Sequence, residues 1–82
     1  MIIESVRVYR NTGAGSIVAY GRADLIDEVT GYPWSIPSIK IGKNGGLNNL
    51  YVSFPLYVYS EMSSEFLDKL CKKVLTEYKK IK

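Results

Sequence analysis

The chain has 82 residues and a mass of 9.2 kDa, with 46% apolar and 23% charged residues. That is the composition of one small globular domain, and it excludes a disordered, collagen-like or disulfide-stapled chain. A net charge of +3 and a pI near 9.0 are compatible with a nucleic-acid partner without demanding one.

The first segment, Ile2 to Arg10, alternates Val6 and Val8 with Ser5, Arg7 and Tyr9, the period of a half-buried strand. Asn11 to Gly15 reads as a turn, because two glycines and an asparagine fall within five residues. The second segment, Ser16 to Ile26, alternates again. Ile17, Ala19, Gly21, Ala23 and Leu25 share one face, and Val18, Tyr20, Arg22 and Asp24 share the other. Its small central residues imply close packing over the first face.

Asp27 to Gly31 reads as a polar turn. Tyr32 to Ser38 carries Pro33 and Pro37 and is expected to be irregular or an edge. Ile39-Lys40-Ile41 is expected as a short strand, and Gly42 to Asn49 as a long glycine- and asparagine-rich loop. Leu50, Val52 and Phe54 alternate with Tyr51 and Ser53 in a further strand. Beyond Pro55 the extended pattern is expected to continue from Leu56 to Tyr59.

From Ser63 the period changes. Phe66, Leu67, Leu70, Cys71, Val74, Leu75, Tyr78 and Ile81 recur at helical spacing. Ser63 suits the N-cap, Glu65 the first turn and lysines the last. Glu65 with Lys69 and Asp68 with Lys72 are favourable i,i+4 pairs. The expectation is an α+β fold: a small twisted antiparallel sheet of about four to five strands with one C-terminal α-helix on one face, in a single domain over residues 1–82.

Missing residue types bound the chemistry. There is no histidine, and Cys71 is the one cysteine. The usual general base, an internal disulfide and a Cys/His zinc set are therefore absent. No nucleophile is paired with a base, so the expectation is a non-enzyme without cofactor, metal or small-molecule substrate. No apolar run approaches the ~18 residues of a membrane span. The start, Met1 to Arg7, lacks a signal-peptide pattern, so a cytoplasmic protein without a membrane partner is expected.

Two constellations carry the functional argument. On the sheet face turned from the helix, Arg7 and Arg22 interleave with Tyr9, Tyr20 and Tyr51. Such a face offers cations for phosphates and rings for stacking bases, or else cross-strand aromatic pairs and a dimer interface. On the helix, Lys69, Lys73 and Lys80 form a stripe with Lys72 and Lys79 nearby, which suits a phosphate backbone or simply a solvated face. Lys43, in the glycine-rich loop, can reach a phosphate. Cys71 reads as core, Trp34 as pinning its segment or binding, and Asp24, Asp27 and Glu28 as solvated carboxylates in a turn region.

Val6-Arg7-Val8-Tyr9-Arg10, then Gly15 to Tyr20 and Ala23 to Glu28, resembles the opening of the stage V sporulation protein G (SpoVG) family of septation regulators. Ile39 to Gly45 followed by Leu50-Tyr51-Val52-Ser53-Phe54-Pro55 resembles that family's glycine-asparagine turn and its strand ending in proline. Val74 to Tyr78 resembles the end of its C-terminal helix. The resemblance covers most of the chain in order. It implies a bacterial or phage regulator that dimerises through β-strands and binds DNA or RNA. Two departures stand out. Leu56-Tyr57-Val58-Tyr59 replaces the family's basic segment after the proline, and Gly46 to Asn49 reads as an insertion. The site residues expected are Lys69, Lys72, Lys73, Lys80, Arg7, Arg22 and Lys43. The alternative is a protein-interaction module that keeps the fold and has lost nucleic-acid binding.

Overall fold

The alternating segments pair in chain order, each strand returning beside the last. The computed structural model describes residues 1–13, 15–43 and 49–81. Strands β1 (Ile2–Arg10), β2 (Ile17–Ile26), β3 (Pro33–Lys43) and β4 (Leu50–Ser53) form one antiparallel sheet in the order β1-β2-β3-β4. Two helices follow, α1 (Leu56–Glu61) and α2 (Ser64–Ile81). The architecture is the expected α+β one, a four-stranded sheet with a C-terminal helix, with the short α1 added.

Three local irregularities shape the sheet. Each is one extra residue in one strand: near Glu4 in β1, near Val18 in β2 and at Pro37–Ser38 in β3, opposite Arg22. Such bulges bend and twist a strand without ending it. This corrects the expectation for the proline-bearing stretch. Residues 32–38 were expected to be irregular or an edge, ahead of a short strand at 39–41. From Pro33 onward they are instead part of one continuous strand through Lys43. Pro33 is its first residue and Pro37 sits in the bulge, the positions where a missing N–H is tolerated. Gly42 and Lys43, expected in the loop, are the end of β3. The remainder of that loop, from 44 to 48, lies outside the described residues.

The core forms where the inward-facing residues of the sheet meet α2. Ala19, Ala23, Leu25, Ile36, Ile39 and Ile41 from the sheet are buried together with Phe54, Val58, Leu70, Val74 and Tyr78. The small residues of β2 serve the expected close packing. A side chain at Gly21 would press within 3.3 Å of the Arg7 carbonyl oxygen. α2 begins as expected, since the Ser63 hydroxyl accepts the Phe66 N–H at 3.2 Å. At its other end Arg10 donates to the Ile81 carbonyl at 2.8 Å, tying the helix C-terminus to β1.

The segment after Pro55 is not extended as expected but wound into α1. Leu-Tyr-Val-Tyr alternates as a strand would, yet β4 has already ended and no further strand lies beside it among the described residues. A six-residue helix has little stability of its own. Tertiary contacts hold this one: Val58 is fully buried, and the Tyr59 hydroxyl reaches back to accept the Phe54 N–H at 3.1 Å. The Tyr59 ring also meets Phe54 edge-on at 6.0 Å.

Candidate nucleic-acid interface

Because α2 covers one face of the sheet, the alternate residues of every strand are left on the other. Register places them in rows. Tyr9 pairs with Tyr20, Tyr20 with Lys40, and Lys40 with Ser53. Arg7 pairs with Arg22, and Asp24 stands between Ser5 and Ser35. Tyr51 pairs with Gly42, and a β-carbon at Gly42 would collide with the Tyr51 ring. The ring therefore lies across the glycine, which only a residue without a side chain permits. Tyr9, Tyr20 and Tyr51 are 56%, 41% and 39% exposed, so each offers a ring surface to solvent.

The electrostatics of this face are uneven. Arg7 and Arg22 are direct cross-strand neighbours, and like charges so placed repel. Arg22 is partly neutralised. Its Nη2 donates to the Ser35 hydroxyl at 3.1 Å and lies 3.5 Å from Asp24 Oδ1. Asp24 also accepts the Ser35 hydroxyl at 3.1 Å and the Ser5 hydroxyl at 3.1 Å. These hydrogen bonds, first from Ser35 and then from Ser5, together with the Arg22 charge, hold the Asp24 carboxyl below its usual range. Asp24 is thus a networked residue of β2 and not of the turn, while it stays open to solvent as expected. Arg7 and Lys40 have no ion-pair partner among the described residues.

Where β4 stops and β3 runs on, the face has an open depression of about 210 Å³ lined by Ser38, Lys40, Ser53, Phe54 and Pro55. Lys40 was absent from the sequence-based set. The signal for it was present, since Ile39-Lys40-Ile41 alternates and puts Lys40 opposite two core residues.

The remaining predicted residues lie elsewhere. Lys69, Lys72, Lys73 and Lys80 are exposed on α2, on the opposite side of the two-layer structure from Arg7 and Arg22. Lys73 and Lys80 both pair with Glu77, at 3.6 and 3.2 Å. The Lys80 hydrogen bond is the main cause that holds the Glu77 carboxyl low. These ion pairs take the place of the expected Glu65–Lys69 and Asp68–Lys72 pairs among the described residues. Lys43, exposed at the end of β3, pairs in register with Leu50 and has the strand parity of Ile41, the helix-facing side. The predicted set is thus divided, with Arg7 and Arg22 brought together and the lysines apart from them.

Asp27 caps its own turn, accepting the Val29 N–H at 2.9 Å, and Gly31 closes it with φ near 75°. Glu28 lies 3.1 Å from the N-terminal ammonium. Cys71 is half-buried against the core, and burial pushes its thiol up, as suits a packing residue. Among the described residues no three Cys, Asp or Glu side chains converge as a metal site requires, and no helix is long and apolar enough to cross a membrane. The fold and site together define a two-layer α+β domain with an uncovered, tyrosine- and cation-bearing sheet face. No family model, curated protein or solved structure matches the chain.

Proposed function

We propose that this chain is a small dimeric nucleic-acid-binding regulator of the SpoVG type, acting in the cytoplasm as a binding protein and not as an enzyme. It takes neither cofactor nor small-molecule substrate. In this reading DNA or RNA lies on the uncovered sheet face. Arg7, Arg22 and Lys40 neutralise phosphates, while Tyr9, Tyr20 and Tyr51 stack on bases. The lysines of α2 are a second basic surface on the far side, able to add non-specific attraction. The observation that carries the reading is the cross-strand pair of arginines beside exposed tyrosines. Two neighbouring guanidiniums cost stability when alone and are relieved by an anion.

Fluorescence anisotropy with mixed-sequence DNA and RNA tests it. Binding at low salt that falls steeply with added salt supports the proposal. No binding to either at low salt sinks it. A nine-residue strand, β1, has no neighbour on its outer side among the described residues. Pairing of two such edges about a two-fold axis is the proposed route to the homodimer. Sedimentation would then show about 18 kDa, twice 9.2 kDa.

The second reading, a protein-interaction module, is favoured by one observation. Leu56 on α1 is 87% exposed, with Tyr57 beside it at 47%, where the SpoVG family has its basic segment. Capture of a protein partner that is insensitive to salt and abolished by Leu56→Glu would favour this reading over the first.

A further inference from the structure

The depression at the end of β4 contains three polar groups that the fold itself does not use. Lys40 and Ser38 project from β3 on one side of the strand, two residues apart, and Ser53 is the register partner of Lys40 in β4. None of the side-chain hydrogen bonds or ion pairs among the described residues involves any of the three. Phe54 and Pro55 supply the remaining walls, and no carboxylate lines the space. One lysine and two serines lining a concavity without a competing carboxylate supply the donor types that a tetrahedral oxyanion needs. The volume of about 210 Å³ admits such a group with part of its ester.

Two tyrosines flank the depression. Tyr20 is the neighbour of Lys40 across β2 and β3, and Tyr51 precedes Ser53 by two residues on the same side of β4. A chain whose phosphate sat on Lys40 would present its adjoining bases to these rings. Stacking on exposed rings requires unpaired bases, since a duplex hides its base faces within the stack.

We infer that Ser38, Lys40 and Ser53 form a phosphate subsite for single-stranded nucleic acid, with Tyr20 and Tyr51 receiving the bases on either side. The inference rests on the nucleic-acid reading for its ligand but stands on its own geometry for the anion. The Arg7–Arg22 pair adjoins this subsite, because Arg22 lies opposite the Pro37–Ser38 bulge.

NMR titration of the full chain separates these claims. Inorganic phosphate, with chloride matched for ionic strength, is expected to shift the amides of Ser38, Lys40 and Ser53 saturably. Lys40→Gln and the double variant Ser38→Ala/Ser53→Ala should abolish those shifts, and Lys69→Gln should leave them intact. A six-nucleotide oligothymidylate should bind, and Lys40→Gln should weaken it about tenfold, the worth of one charge-assisted hydrogen bond. The variant should also lower the salt slope by about 0.7, one single-strand phosphate. The same oligomer with a 5′-phosphate shows whether a chain end or an internal diester is preferred, and either preference supports the subsite. Phosphate shifts that persist in Lys40→Gln, or that centre on α2, overturn it. Oligonucleotide binding that Lys40→Gln leaves unchanged also overturns it, while the nucleic-acid reading survives. Local phosphate shifts without binding of any oligonucleotide uphold the subsite and remove the nucleic-acid reading.

Discussion

The two solvent-facing sides of this protein have similar charge and different chemistry. The sheet face sets Arg7, Arg22 and Lys40 against Asp24. The exposed side of α2 sets Lys69, Lys72, Lys73, Lys79 and Lys80 against Glu65, Asp68 and Glu77. Each nets two positive charges (three less one, and five less three). Net charge therefore does not choose between them. The sheet face adds three exposed rings, held at fixed spacing by strand register. The helix adds only flexible lysine stems, two of which are drawn to Glu77. Phosphate attraction is available on both sides, but base stacking on one.

The largest expected effect removes both sides at once. Leu70 is fully buried between α2 and the sheet, and Leu70→Ala should cost about 2–5 kcal/mol in chemical denaturation. For a chain this short that is much of its total stability. A loss of a few tenths would mean that the helix does not hold the sheet, and the comparison of two faces would collapse.

Next in size is the test that separates the faces. Tyr20→Ala or Tyr51→Ala should lose ~1–3 kcal/mol of single-strand affinity per stacked base, with the salt slope nearly intact. Gly42→Ala should reproduce the Tyr51 loss, because the added β-carbon displaces the ring. A Gly42→Ala variant that binds like the parent would show that the position of Tyr51 is irrelevant to binding.

A smaller difference distinguishes the cations. Arg7→Gln should lower the slope of log K against log salt by about 0.7 on single strands. Lys69→Gln and Lys73→Gln should lower it by less, and their folding stability should hardly change. If the helix variants carry the slope and Arg7→Gln does not, the two faces exchange roles.

These contrasts mark what was legible in the residues and what was not. α2 could be drawn with its N-cap at Ser63, because helical period, capping and burial all agree there. The inward and outward faces of β1, β2 and β4 were equally plain, since alternation is local. α1 was hidden, because its alternating residues read as strand and the contacts of Val58 and Tyr59 that hold it as a helix are not written in the local pattern. β3 was hidden by its prolines, which the bulge opposite Arg22 accommodates. Lateral neighbours were not legible at all. Nothing in the order of residues says that Tyr20 lies beside Lys40, or that Asp24 binds Ser5, Ser35 and Arg22. Charges along the helix were easily seen as a stripe, whereas those on the sheet come together only through register.

The smallest effect is acid sensitivity. Asp24 and Glu77 each have a folded-state carboxyl held below the ordinary value, 3.8 for Asp24 and 4.5 for Glu77. Each contributes stability that is present above that value and lost as pH falls through the lower folded one. Denaturation midpoints should therefore drop slightly below about pH 4. Asp24→Asn and Glu77→Gln should each flatten that drop. Both groups are open to solvent, so screening by salt should shrink it further. A drop unaffected by either variant would place the acid-labile contacts elsewhere.

Chemical-shift mapping of the full chain with a short single-stranded oligonucleotide tests the central claim most directly. The account predicts perturbations at Arg7, Tyr9, Tyr20, Arg22, Lys40 and Tyr51, with Lys69, Lys72, Lys73 and Lys80 little changed. Perturbations confined to the α2 lysines, or none at all at low salt, would contradict it.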